Sequence, residues 1–295
     1  MNHVRDMAVA GLFYPSEASE IQRILDGWLL GKEIDSSIEP ELKADSIRKI
    51  VPRALILPHA GFVYSGKVAA QGYQLWTKPN SAGLLNSIKT IVVMGPAHHA
   101  AFEGITTVDF DALKTPLGDL KVDSELRDRL LKAFNEIQVS NFAHAKEHSI
   151  EVHLPFIKYL SPNVKVLPLL NGQVSAETVS RVLASLWQQE GVYFVISSDL
   201  SHFHTYEQAQ KIDGQTATFI DESQWQSLTA ERACGYKGIQ GLLNIRAYTE
   251  LKTDLNINRL QVINSGDSAG DKSRVVGYGA WAVCENGCSL TEEVR

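Results

Sequence analysis

The chain has 295 residues, 44% of them hydrophobic and 21% charged, a composition within the range of soluble globular proteins and well away from disordered or fibrous ones. Its 34 acidic and 28 basic side chains give a formal charge of -6, which leaves no broad basic face for a phosphate backbone, so nucleic acid is not an expected partner. No apolar run approaches the roughly 20 residues that cross a bilayer, and the first 14 residues lack the long apolar centre of a secretion signal, so a cytoplasmic location without membrane contact is expected.

Residues 53–57 form the first apolar run that reads as a buried strand, followed by a helical pattern over 65–76 and a second strand over 90–94. Helical spacing returns at 124–134 and 151–160, then a strand at 164–170, a helix at 175–189, a strand at 192–197, a helix at 205–220 and a strand at 275–283. This alternation predicts an α/β fold with a largely parallel or mixed central sheet covered by helices on both faces. The polar stretches 31–46 and 79–87 read as surface excursions. With no linker, repeat or low-complexity tract dividing the chain, residues 1–295 are expected to form a single domain.

Three of the predicted strands deliver polar residues from their carboxyl ends: His59 in ALILPHAG, His98 and His99 in IVVMGPAHH, and Asp199 and His202 in YFVISSDLSHF. In an open α/β sheet that rim is where ligands bind. One histidine after a strand is an ordinary hydrogen-bonded group; three such sites on one rim point to a shared pocket. Pro58 and Gly61 around His59, and Gly95 and Pro96 before His98, restrict the turns and so the directions of the rings, which suits a metal site.

The segment from Glu147 to His153 looks at first like a zinc-protease helix, but His148 and His153 are five residues apart. On a helix that separates them by roughly 140°, whereas HExxH ligands share a face. Glu147, His148 and His153 are therefore expected to line or support the pocket, with helix capping an equal explanation for Glu147. His148 and Glu151 have a spacing that shares a helical face. Asp199, three residues before His202, has a spacing that orients an imidazole as a general base; the alternative is a turn cap with His202 packed behind it.

Cys234, Cys284 and Cys288 are too few, and odd in number, for a disulfide framework, and the latter two read as incidental. Cys234 precedes an amphipathic segment at 239–245. A helix start lowers a thiol pKa and suits a ligand or nucleophile, while a lone cysteine is commonly just a small buried residue. Spacing alone does not join it to His59 and His98.

PHAGFVYSG at 58–66, GPAHH at 95–99, EHSIEVHLPF at 147–156, SSDLSHF at 197–203 and ACG at 233–235, with AGLFYP at 10–15, together resemble the Memo family in its own order. The resemblance implies a fold related to class III extradiol dioxygenases, which use non-haem iron to open catechol rings. It places metal ligands at His59, His98 and Cys234 and the acid/base histidine at His202, beside Asp199. Cysteine replaces the dioxygenases' glutamate, exchanging a hard carboxylate for a soft thiolate, and that counts against ring opening. The family's animal members are linked to cell motility, phosphotyrosine-peptide binding and metal-dependent redox effects; microbial relatives often accompany radical-SAM proteins.

Three functions follow as expectations. The first is a redox enzyme or oxygenase-like protein holding Fe²⁺ or a copper ion, with Zn²⁺ also compatible with imidazole and thiolate. The second is a module binding a peptide or small molecule in the same cleft without turnover. The third is a hydrolase using metal-bound water or Cys234, although no GxSxG elbow or cysteine-protease signature is present.

Overall fold

The buried apolar runs become strands whose successive side chains enter two separate cores. The computed structural model describes residues 3–30, 51–77, 87–161, 163–249, 255–268 and 270–285. The expected excursion at 31–46, all but Ser87 of that at 79–87, and Cys288 lie outside the described residues. The strands are β1 (Val4–Arg5), β2 (Ala54–Leu57), β3 (Thr90–Pro96), β4 (Ile105–Thr107), β5 (Ala112–Leu113), β6 (Leu120–Lys121), β7 (Ile137–Val139), β8 (Lys165–Asn171), β9 (Val192–Ser197), β10 (His202–His204), β11 (Leu255–Asn264) and β12 (Val275–Glu285). The helices are α1 (Ala18–Leu30), α2 (Lys67–Thr77), α3 (Ser124–Ala133), α4 (Asn141–Ala145), α5 (His148–Glu151), α6 (Leu154–Leu160), α7 (Ala176–Trp187), α8 (Tyr206–Asp221), α9 (Tyr236–Leu243) and α10 (Ser265–Ser268).

Among the described residues the strands form a nine-stranded mixed sheet, in the order β10-β12-β2-β9-β3-β8-β4-β7 with β11 on β12, and a three-stranded sheet, β1-β5-β6. At its centre β2, β9, β3 and β8 run parallel. Alternation along each strand divides the cores: Leu55, Leu57, Ile91, Val93 and Val195 face one side, and Ala54, Ile56, Val92, Met94, Phe194 and Ile196 the other. Helices α1, α2 and α6 cover the first core through Ile21, Leu25, Tyr73, Trp76 and Phe156, while α3, α7, α8 and α9 cover the second through Leu126, Leu183, Ile220 and Leu242. The result is the α/β architecture of mixed sheet flanked by helices that the alternation predicted. No described helix is long and apolar enough to cross a membrane.

Helix starts follow local chemistry. Asp123 caps α3 through the Leu126 N–H at 3.2 Å, Ser175 caps α7 through Thr178, and Thr205 with Gln208 forms a reciprocal capping box on α8. Two helices differ from expectation. A π-helical turn at Phe62–Gly66 leads into α2, and the expected helix over 151–160 is interrupted at Val152 and His153, so that α5 and α6 are separate. The break turns His148 and His153 to different surroundings.

Candidate metal centre

Because β2, β9 and β3 are parallel neighbours, their carboxyl ends open on one edge of the sheet. His59 follows β2, Ser197 to Asp199 end and follow β9, and His98 follows β3. Two glycines allow the remaining pieces to close in. A Cβ on Gly95 would meet Ser149 Oγ at 2.6 Å; without one, α5 packs on the end of β3 and Ser149 donates to the Pro96 carbonyl at 2.8 Å. A Cβ on Gly235 would fall 2.3 Å from the Ser197 carbonyl, so only glycine lets the chain at Cys234 lie against the end of β9.

Potential donor nitrogens of His59, His98 and His148 lie within 4.8 Å of one another. The rings lie close together: His59 meets His98 edge-on with centroids 5.3 Å apart, and His98 stacks on His148 at 4.5 Å. Cys234 Sγ is 3.4 Å from His59 Nε2. Two ligands on one tetrahedral ion, bound at about 2.0–2.1 Å through nitrogen and about 2.3 Å through sulfur, sit roughly 3.5 Å apart. His148, read from the sequence as a supporting residue, thus stands among the potential donors, and Cys234 beside them.

The tautomers are fixed by proton counting. Ser197 Oγ gives its one proton to the Ser149 carbonyl at 2.6 Å, yet also contacts His59 Nδ1 at 2.6 Å and His153 Nε2 at 3.0 Å. It must accept from both rings. His59 therefore carries its proton on Nδ1 and turns the Nε2 lone pair toward Cys234 and the other rings. His153, fully buried, donates from Nε2 and accepts at Nδ1 from the Tyr73 hydroxyl, 3.1 Å away. His153 supports the pocket from beneath. Ser197 is the residue that sequence reading missed: a hydroxyl in an apolar strand carries no outward signal of two ring partners.

Glu147 caps a helix and contacts His98 with the same carboxylate. Oε1 caps α5 by accepting from the His148 and Ser149 N–H groups, each at 3.0 Å, and accepts from His98 Nδ1 at 2.8 Å; Oε2 accepts from the His98 N–H at 2.6 Å. In the neutral ring the proton sits on Nδ1, facing Glu147, and Nε2 is the atom with a lone pair for a metal. Burial would raise the Glu147 carboxyl, but the His98 hydrogen bonds and charge, with the Ser149 N–H, outweigh it and bring it to about 2. Burial, then repulsion from the His98 ring, lowers His59 well below the ordinary range and takes His148 to about 4. Both rings are neutral at pH 7, the form that binds metal.

Three expectations change. First, Asp199 does not orient His202. Its Oδ1 accepts the His59 N–H at 2.8 Å, while His202 hydrogen-bonds the backbone at Leu200. Burial raises the Asp199 carboxyl to about 7 and lowers His202. Second, burial and then the neighbouring Asp199 charge push the Cys234 thiol up, outweighing the nearby start of α9. Third, Glu151 does not share a functional face with His148: it is sealed inside, bound by Arg5 Nη1 at 2.7 Å, the Ala8 and Val9 N–H groups and the Tyr14 hydroxyl. His99 is exposed at the rim, its ring 5.9 Å from that of His148.

A family model described as Memo-like protein matches residues 5–282. A "MEMO1 family protein" of Aquifex aeolicus is 31% identical over 290 residues, covering 93% of this chain and 97% of its own length. Another, from Methanosarcina mazei, is 34% identical over 289 residues, covering 94% and 98%. The crystal structure of an uncharacterized protein from Escherichia coli K12 aligns with 77% of this chain and 99% of its own at a TM-score of 0.47 and 13% identity, a likeness too slight to bear on the site. With the six sequence segments gathered mostly around one sheet edge and the match running nearly end to end, the chain belongs to the Memo family.

Proposed function

We propose that the chain is a cytoplasmic metal-dependent enzyme of redox type, acting on a small molecule at the rim where His59, His98 and His148 converge and Cys234 stands beside His59. The observation that carries this reading is the pairing of aligned donors with fixed tautomers: Ser197 holds His59 and Glu147 holds His98 through Nδ1, which turns the Nε2 lone pair of His59 toward Cys234 and leaves that of His98 on the far side of its ring from Glu147. Carboxylate or hydroxyl partners behind imidazole ligands are the usual support of a metal site. His59, His98 and Cys234 would hold the ion, with His148 as a further donor. Iron or copper there would supply Lewis-acid and one-electron chemistry, and zinc Lewis-acid chemistry alone.

The chain's own residues supply the rest. His202, half-buried and neutral, stands at the mouth as the group that takes or gives a proton. Asp199 fixes the turn carrying His59 through its N–H and donates its own N–H to Cys234 Sγ at 3.3 Å, which stabilises charge on the sulfur. The test is elemental analysis of anaerobically purified protein reconstituted with Fe²⁺, Cu⁺ or Zn²⁺. The proposal expects near-stoichiometric metal in the wild type and its loss in His59→Ala, His98→Ala and Cys234→Ala. Equal metal in wild type and variants would remove the three-ligand assignment.

A second reading has one observation in its favour. Leu12 and Phe203 are exposed next to Phe13 and His202, and Phe13 packs on His148 of the same site. Such a rim fits a peptide-binding module, and affinity for a peptide retained after chelation and in His202→Ala would favour it over an enzyme.

A further inference from the structure

Beside Cys234 the rim opens into a cavity of about 270 Å³. Its apolar wall comes from Ala100, Ala101, Phe102 and Tyr236, and its polar end from Asn171, the last residue of β8, and Lys237 in the first turn of α9. The metal-centre assignment uses neither Asn171 nor Lys237.

The polar end is built of donors. Helix α9 starts at Gly235, which has no side chain to cap it. The Gly235 and Tyr236 N–H groups are satisfied by Ser198 Oγ and the Ala233 carbonyl. Those of Lys237 and Gly238 have no carbonyl behind them in the helix and stand at the positive end of its dipole. Lys237 Nζ is held across the opening by the Gly172 carbonyl at 2.9 Å and Gln173 Oε1 at 3.2 Å, which leaves its third proton uncommitted. Independently, the Asn171 side chain is only 7% exposed and its Oδ1 has no hydrogen-bond partner. A buried amide oxygen without a partner is costly, and the amide's donor, Nδ2, lies on the helix-start side, 3.5 Å from where a Cβ on Gly238 would stand.

We propose that this cavity binds the carboxylate of a small organic acid, with the acid's apolar body against Phe102 and Tyr236. Lysine ammonium, helix-start N–H groups and an amide suit a monoanion; Lys237 is the one cation of the lining, so a phosphate dianion would remain undercompensated. Because Cys234 lines the same cavity, the bound acid lies next to the candidate metal centre. Its place as a substrate subsite rests on the metal-centre reading; the binding of a carboxylate does not.

The test uses the full chain, metal-free and zinc-loaded, titrated with 3-phenylpropionate, its neutral amide 3-phenylpropionamide, and phenyl phosphate, read by calorimetry and by the amide resonances of Lys237 and Gly238. The carboxylate is expected to bind metal-free protein in preference to both other probes and to shift those two resonances. Binding should weaken at least about tenfold in Lys237→Met and, separately, in Asn171→Asp, as expected when a charge-assisted hydrogen bond is removed or opposed. It should persist in metal-free His98→Ala. Equal binding of acid and amide, tighter binding of phenyl phosphate, or unchanged affinity in both variants would overturn the subsite. Carboxylate binding seen only with zinc and lost in His98→Ala would also overturn it while leaving the metal centre intact; absence of zinc binding with the carboxylate response preserved would do the reverse.

Discussion

Helix α5 has two ends that show two uses of buried polarity. At its carboxyl end Glu151 is saturated: Arg5, two backbone N–H groups and the Tyr14 hydroxyl fill both carboxylate oxygens and tie the N-terminal segment to the core. At its amino end Glu147 is also well bonded, yet the rings it gathers keep donor atoms without protein partners. A polar cluster that closes on itself holds a fold together. One that satisfies its supports and leaves convergent lone pairs is arranged for something that arrives later.

Breaking the closed end should have the largest structural effect. Glu151→Ala leaves the Arg5 guanidinium buried without its partner and is expected to destabilise folding by about 3–5 kcal/mol, measured by denaturant unfolding of metal-free protein. At the open end the order reverses. His98→Ala, at a partly exposed side chain, should abolish tight Zn²⁺ binding while moving the metal-free unfolding midpoint little, checked by titration against a competing chelator and by the same denaturant curves. Parallel losses of stability from both substitutions would erase the distinction between the two ends.

The supports should fall between these extremes. Ser197→Ala frees the His59 tautomer, and Glu147→Gln weakens the hold on His98; each is expected to lower metal affinity roughly 10–100-fold without changing which ion is preferred. A last test concerns pH. Burial lowers His144 and His153 to about 3 each, against about 6.5 in an unfolded chain, so unfolding takes up protons between those values and stability falls as pH drops below about 6.5. Asp199, raised to about 7, acts the other way, contributing less as pH rises through about 4 to 7. Two buried histidines outnumber it, so the unfolding midpoint should decline on acidification, and His144→Gln should lessen the proton uptake by about one.

Much of the fold was legible because strands buried on both faces must be continuously apolar: β2, β3, β8, β9 and β12 each lie within two residues of their expected bounds. Strand β11 was not, since its Asn, Arg and Gln side chains on a half-buried edge interrupt the apolar pattern. The convergence of His59 and His98 followed from the rule that parallel strands share a functional edge. What stayed hidden depended on neighbours remote in sequence. Asp199 turned to the His59 backbone because β2 and β9 are adjacent, and the thiol of Cys234 responded to burial more than to the helix beside it. The helix break before His153 was equally invisible, yet it sends one ring below the rim while His148 stays on it.

The Ser197 hydroxyl has a further consequence for proton movement. A chain of hydrogen bonds conducts protons only if every link points the same way, and at Ser197 the direction reverses: both His59 and His153 donate into one oxygen whose own hydrogen is given to a carbonyl. The line from Tyr73 through His153 to His59 is thus interrupted at its middle, an insulator between core and rim. Protons consumed or released at His59 must travel on the solvent side, past His98 and His202.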